Sequence, residues 1–76
     1  MSRTATITTD HGSAKRAAMV AAALAPDNTD EMTTTADGRQ VTTTIERETT
    51  GGLQATVDDY VVNVRIADDL TDTTQP

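Results

Sequence analysis

The sequence predicts an α+β fold whose elements follow the order β-α-β-β-α. Three observations lead to this class. Residues 3–9 alternate threonine with Ala5 and Ile7 at a period of two, and β-branched runs lie on either side of Asp37-Gly38; both patterns are typical of strands. Residues 14–24 are rich in alanine, the strongest helix former. Residues 53–64 place their large apolar side chains at helical spacing.

The order of the elements also predicts the topology. A helical crossover makes the first two strands parallel, and an antiparallel third strand then fits between them. We expect a three-stranded, antiparallel-type sheet of order 1-3-2, with a right-handed crossover and both helices on one face. The opposite face would consist of threonines: Thr4, Thr6, Thr8, Thr33, Thr35, Thr42 and Thr44.

Length and composition indicate one small domain with a thin core. A chain of 76 residues buries only about 60% of the surface that its unfolded form exposes. It has no cysteine and one histidine, which excludes disulfides and makes a zinc site built by the chain improbable. A partner chain is the remaining source of added stability. We expect one domain over residues 1–70 and a disordered polar tail over 71–76.

The first strand and helix have clear sequence signals. In "RTATITT" (3–9), Ala5 and Ile7 face inward and the threonines face outward. Ser13 is a suitable N-cap for a helix from Ala14 to about Leu24, and Pro26 should stop that helix.

The central part of the chain predicts a β-hairpin. Residues 25–31 have the composition of a loop, and "MTTTA" and "RQVTTTIERE" are β-branched runs on either side of Asp37-Gly38. In the second run, Val41, Thr43 and Ile45 share one face.

The segment "GGLQATVDDYVVNVRIADDL" (51–70) can be interpreted in two ways. The strand interpretation accounts for the apolar pattern of residues 60–66 only. As a helix, the segment gathers its apolar side chains into one stripe about 100° wide. These side chains are Leu53, Val57, Tyr60, Val61 and Val64. The periodic stretch also exceeds the five or six residues of an ordinary strand, so we predict a helix.

Charge and motif content predict that the chain has no active site of its own. A net charge of −6 argues against unaided binding to nucleic acid or to an anionic membrane. Asp58-Asp59 and Asp68-Asp69 do not converge, because neighbours on a helix point about 100° apart, and we interpret both pairs as solvated charge. His11 is expected to be a turn residue. We predict no catalytic residue, cofactor or metal.

Composition and the N-terminal part also suggest a location. The run "AAMVAAALA" (17–25) after Lys15-Arg16 imitates a signal peptide, but it is short, mostly alanine and preceded by Asp10. No stretch approaches the roughly 20 apolar residues of a membrane span. We expect a cytoplasmic protein, and its acidic, lysine-poor and threonine-rich composition suggests a salt-rich cytoplasm.

Each of the two predicted helices carries apolar residues on the side that faces away from the core. Val62 and Ile66 lie roughly opposite Val57 and Val64 on the second helix. Met19 and Ala22 lie away from the core face of the first helix. Together they predict an outward apolar patch of the kind that marks a partner surface, although scattered exposed apolar residues are common in soluble proteins.

Several segments resemble the small dimerising subunit of the archaeal KEOPS complex. The similarity covers roughly residues 3–70 and rests on "LAPDN" (24–28), "IERETTGGL" (45–53) and "LQATVDDYVVNVRIAD" (53–68). One departure is Gly52, where the family favours serine as a helix cap. Glycine is also an acceptable N-cap.

The resemblance implies a non-catalytic homodimer. Each protomer would bind the threonylcarbamoyltransferase subunit, so that two copies are joined in an assembly that makes N6-threonylcarbamoyladenosine in tRNA. Whether a paralogous small subunit replaces one protomer stays open. The chain would contact tRNA only within the assembled complex. The partner-binding residues implied by the similarity are Met19, Ala22, Ala55, Asp59, Val62 and Ile66.

Two other functions stay open on the sequence. One is a free-standing small-ligand-binding or regulatory domain that uses its sheet face. The other is an RNA-binding module, which ranks lower because basic residues and stacking aromatics are scarce. The helical stripe also predicts that Val61→Asp unfolds the domain, whereas Val62→Asp and Ile66→Asp abolish partner binding and leave it folded.

Overall fold

A three-stranded antiparallel sheet with β3 at its centre forms the frame of the structure. The computed structural model describes residues 2–27 and 30–73. The elements are β1 (Arg3–Asp10), α1 (Ala14–Leu24), β2 (Met32–Asp37), β3 (Gln40–Arg47) and α2 (Thr50–Thr73). The sheet order is β1-β3-β2, and both neighbours of β3 are antiparallel to it. The predicted fold class and strand order are confirmed.

The two faces of the sheet have different environments. In the register, Ile7 and Thr34 lie on either side of Thr43, and this face carries the helices. The predicted threonine face is the other one. Thr42 on this face is half-buried, and its hydroxyl is hydrogen-bonded to the Thr8 hydroxyl at 3.2 Å. The remaining threonines of that face are exposed: Thr4, Thr6, Thr8, Thr33, Thr35 and Thr44.

The predicted hairpin is present, with its turn shifted by one residue. Asp37 pairs with Gln40 as the last rung of the ladder, so the two loop residues are Gly38 and Arg39 rather than Asp37 and Gly38. Gly38 has a φ of 58°, and no non-glycine residue in the described part of the chain has a positive φ. Glycine at the first loop position is the requirement of a type II′ turn.

Both ends of α1 follow from local sequence. Ser13 is the predicted N-cap, and its hydroxyl accepts a hydrogen bond from the Arg16 backbone N–H at 3.1 Å. After Leu24 the chain continues as one 3₁₀ turn, Ala25–Asp27, which contains Pro26. Asn28, the last residue of "LAPDN", lies outside the described residues.

Helix α2 is longer at both ends than the sequence suggested, and the strand alternative is excluded. Its N-cap is Thr49, whose hydroxyl accepts from the Gly52 backbone N–H at 3.0 Å. Gly52 is therefore not the cap but lies in the first turn. At the other end the helix passes residue 70 and reaches Thr73, with Thr71 buried. The helix therefore extends past residue 71, where the tail was predicted to begin, and residues 74–76 of that predicted tail lie outside the described residues.

The core lies between the sheet and one side of each helix. It consists of Ala17, Val20, Leu24, Met32, Val41, Ile45, Tyr60, Val64 and Ala67. At its centre the Thr43 hydroxyl donates to the Tyr60 hydroxyl at 2.6 Å. Leu53 and Val57 pack at the margin, as predicted. Val61 was predicted to belong to this stripe, but it is 41% exposed. Ala67 and Thr71 continue the buried stripe instead, along i, i+3 and i+4 steps from Tyr60.

Candidate docking surface

The outer side of α2 carries a stripe of exposed large apolar residues. Val62, Ile66 and Leu70 are 54%, 53% and 59% exposed. They are four residues apart, so they lie one above the other along the helix. We call these three residues the α2 stripe. Sequence reasoning missed Leu70 because it placed the end of the domain at that residue.

The predicted partner-binding residues on α2 lie on the same side of the helix. Ala55 and Asp59 are exposed, and they precede Val62 and Ile66 by steps of three and four residues. From Ala55 to Leu70 the surface runs for about 22 Å. The structure therefore brings together the four α2 residues that the resemblance implied and adds Leu70.

The two predicted residues on α1 have different positions. Ala22 is exposed, as expected. Met19 was expected to point outward, but it is half-buried. The reason is that α2 lies against this side of α1: Arg16 contacts Asp68, Ala23 lines a groove with Ile66, and Met19 lies between Arg16 and Ala23 on the helix.

Two depressions border the α2 stripe. The first has a volume of about 190 Å³ and lies between the end of α1 and α2, lined by Ala23, Leu24, Asn63, Ile66, Ala67 and Leu70. The second has a volume of about 310 Å³ and lies between the start of β2 and the first half of α2. Leu24 and Asn63 line both, so the two depressions follow one another along α2. A partner helix or loop laid on this side would find both an apolar ridge and recesses beside it.

Charged groups surround the larger depression. Arg47 binds Glu31 at 3.1 Å and donates to the Thr56 hydroxyl at 2.6 Å. Asp59 accepts from Asn63 at 3.4 Å at its rim. The floor is apolar, formed by Leu24, Met32 and Tyr60. This depression combines one guanidinium and two carboxylates with an apolar base.

A partly buried polar cluster joins the C-terminal part of α2 to the junction of β1 and α1. His11 is only 6% exposed. Its Nδ1 is 2.7 Å from Asp68 Oδ1, and its Nε2 is 2.7 Å from the Thr9 hydroxyl. Arg16 reaches the same Asp68 oxygen at 3.0 Å. Sequence reasoning treated His11 as a turn residue and Asp68 as solvated charge, because nothing in the sequence pairs residues 57 positions apart.

The cluster has the hydrogen-bond order of a hydrolase triad, from carboxylate to imidazole to hydroxyl. Two features argue for a structural role. The guanidinium of Arg16 shares the carboxylate oxygen that orients the imidazole, and the hydroxyl is the half-buried secondary alcohol of Thr9. In the described part of the chain, no three histidine, cysteine or acidic side chains are grouped to hold a metal ion. No helix there is long and apolar enough to cross a bilayer.

These features define a small α+β domain with a stripe of exposed large apolar residues on one face of its second helix. The chain belongs to the Pcc1 family: the family described as "Transcription factor Pcc1" matches residues 4–72. Pcc1 proteins are subunits of the KEOPS complex, which acts in tRNA modification. The resemblance to the small KEOPS subunit is thereby confirmed at the level of the family. A search of curated proteins gave no significant match.

Proposed function

We propose that this chain is a non-catalytic scaffold of the KEOPS complex that docks the threonylcarbamoyltransferase subunit through the outer side of α2. The observation that carries the proposal is the α2 stripe, in which each residue leaves more than half of its surface in water. Full burial of a large aliphatic side chain is worth about 1.5–3 kcal/mol, so covering the exposed part of each would contribute about 1 kcal/mol. Ala55 and Asp59 extend the same surface.

The docking proposal is tested by charge substitutions on α2. Val62→Asp and Ile66→Asp should abolish co-purification with the catalytic subunit while leaving the domain folded, because both positions are exposed in the free chain. Val61→Asp is the matched control: Val61 belongs to the same helix but projects about 100° away from Val62. The proposal fails if all three variants bind like the wild type, or if the control loses binding as the other two do.

We further propose that two copies of the chain associate and thereby join two catalytic subunits. Two surfaces are available. The centre of the threonine face carries uncharged hydroxyl groups. Although the chain has a net charge of −6, a second copy could therefore approach the centre of this face without strong repulsion. The other surface is an edge of the sheet, since the order β1-β3-β2 leaves β1 and β2 paired on one side only.

One substitution distinguishes these two dimers. Thr44 is exposed on the central strand, in the middle of the threonine face. Thr44→Lys should give a monomer if the faces pack together, because a lysine would be buried there in each copy. A dimer that persists in Thr44→Lys, as measured by sedimentation, assigns the contact to a strand edge.

The acidic character of the chain limits what it could bind without other subunits. With 12 acidic and 6 basic residues, the chain is poorly suited to bind nucleic acid by itself, so we place any tRNA contact within the assembled complex. The same balance argues against direct DNA binding, although the family is described as a transcription factor. ATP, metal and the transferred group would be bound by other subunits, and we propose a cytoplasmic location.

A second candidate is a small-ligand-binding or regulatory domain. The 310 Å³ depression favours it, because Arg47, Glu31 and Asp59 there could bind opposite charges on one polar ligand. Mixing the chain with the catalytic subunit separates the candidates. A scaffold must form a stable complex without added ligand, whereas a free-standing ligand-binding domain need not.

A further inference from the structure

We propose that the cluster of Thr9, His11, Arg16, Asp68 and Thr71 is a polar latch that positions the docking surface. It would hold the last turns of α2, which carry Ile66 and Leu70, in the orientation that the partner meets. The inference rests on the proposed docking function and adds positioning residues that do not themselves touch the partner.

A single carboxylate oxygen connects three elements. Asp68 Oδ1 on α2 lies 2.7 Å from His11 Nδ1 and 3.0 Å from the Arg16 guanidinium. His11 follows β1 and its other nitrogen contacts Thr9 on that strand, while Arg16 belongs to the first turn of α1. A shift of α2 away from either element would therefore break a charge-assisted hydrogen bond.

The hydrogen-bonding roles of the two ring nitrogens follow from their partners. An ionised carboxylate can only accept, so His11 Nδ1 must carry the proton that is shared with Asp68. In the neutral ring, Nε2 then accepts from the Thr9 hydroxyl, and in the charged ring it donates to the same hydroxyl. Both forms satisfy all of the ring's hydrogen bonds, so the latch needs no unpaired nitrogen in the interior.

Thr71 adds a second connection one helical turn later. Its hydroxyl donates to the Asp68 carbonyl at 2.7 Å and accepts from Arg16 Nε at 3.4 Å. No buried side-chain nitrogen or oxygen among the described residues lacks a partner. The buried polar atoms of the cluster are therefore all hydrogen-bonded, and a satisfied polar network favours one arrangement.

Apolar contacts alone hold this end of α2 weakly. Before residue 65, the helix buries the large side chains of Tyr60 and Val64. Beyond it, the buried side chains on the described part of α2 are those of Ala67 and Thr71, which are small. Ile66 and Leu70 point outward and cannot anchor the helix. The polar cluster is thus the main specific contact beside the docking residues.

The test uses the isoelectronic variant as a rescue. Asp68→Ala removes the shared acceptor, whereas Asp68→Asn keeps an oxygen that can accept from His11 and Arg16. Asp37→Ala is the matched control, because it removes one charge from an exposed position on β2, outside both the cluster and the docking surface. Each full-length chain is measured by amide hydrogen exchange and by titration with the catalytic subunit.

The latch predicts a local effect with a functional consequence. In Asp68→Ala, amides of residues 65–73 should exchange about tenfold faster or more, and affinity for the catalytic subunit should fall by a similar factor. Amides of β3 should keep their protection, Asp68→Asn should largely restore both properties, and Asp37→Ala should resemble the wild type.

Three results would overturn the latch: unchanged exchange in Asp68→Ala, equal loss of protection in β3, or faster exchange in α2 with unchanged affinity. The second would show a contribution to global stability only. If the wild type does not bind the catalytic subunit, the docking proposal is the one that fails. The exchange measurement on the isolated chain still tests whether the cluster holds α2.

Discussion

At the scale of single residues, Val61 shows what helical periodicity could not decide. The pattern placed Val61 with Tyr60 and Val64, and all three lie within about 100° on the helix. The structure centres the buried stripe on Tyr60, Val64 and Ala67, so that Val61 falls at its edge and is 41% exposed. Periodicity gives the width of an apolar face, but the neighbouring elements decide where its centre lies.

This correction reverses one expectation about mutants. Val61→Asp should now cost about 1 kcal/mol or less in the free energy of unfolding, because the carboxylate can reach water. Val64→Asp should cost about 3 kcal/mol or more, since Val64 is 5% exposed and the charge would be buried without a partner. Urea denaturation of the two variants checks this. Equal losses of stability would contradict the assignment of the buried stripe.

The hydroxyl pair of Thr43 and Tyr60 gives a second residue-level prediction. The Thr43 side chain is fully buried and donates to Tyr60 at 2.6 Å. Tyr60→Phe should cost about 1 kcal/mol of stability, because it removes a buried acceptor with little change in volume. In combination with Thr43→Val, the loss should be smaller than the sum of the single losses. Additive losses in denaturant titrations would show that this hydrogen bond contributes nothing.

At the scale of elements, strands and helices were predictable because their signals are local. Ser13 was identified as an N-cap from its type and position, and the alternation in β1 gave the correct inner face. The ends of α2 were less predictable. Thr49 rather than Gly52 caps the helix, and burial of Thr71 by α1 and Asp68 extends it. A polar C-terminal segment looks disordered unless its tertiary contacts are known.

Two glycines in different elements test the backbone assignments. A Cβ at either Gly38 or Gly51 would meet no atom within 4 Å, so space does not distinguish them. Gly38 has a φ of 58°, and Gly38→Ala should destabilise the hairpin by about 1 kcal/mol. Gly51 is helical, and Gly51→Ala should stabilise by up to about 1 kcal/mol. Thermal unfolding of both variants should show opposite shifts, and shifts of the same sign would contradict the turn geometry.

At the scale of the whole molecule, sequence order sufficed for the topology. A β-α-β unit whose second strand begins a hairpin leaves few ways to pair three strands, and the observed order β1-β3-β2 is one of them. The exposure of the α2 stripe was predictable in part, because Val62 and Ile66 lie on the side of the helix opposite Val57 and Val64. The His11 cluster was not, since its contacts depend on how α2 crosses the start of α1, and Met19 was misplaced for the same reason.

The proposed bridging role predicts the state of the free chain. A scaffold that joins two catalytic subunits should sediment as a dimer, with twice the chain mass of 8.0 kDa, at high salt. Salt should not dissociate the dimer. At about 1 M ionic strength, interactions between charges more than roughly 3 Å apart are screened, whereas the packing of uncharged surfaces is unaffected. A monomer at all concentrations examined by sedimentation velocity would exclude a symmetric bridge.

The mass of the assembled complex in solution shows whether the chain joins two catalytic subunits. Light scattering of the wild-type chain mixed with the threonylcarbamoyltransferase subunit should give a particle with two copies of each. With Val62→Asp, the same mixture should give only the separate components, because the α2 stripe would no longer be apolar. A wild-type mixture that shows no complex, or a Val62→Asp mixture that forms the same particle, would contradict the account.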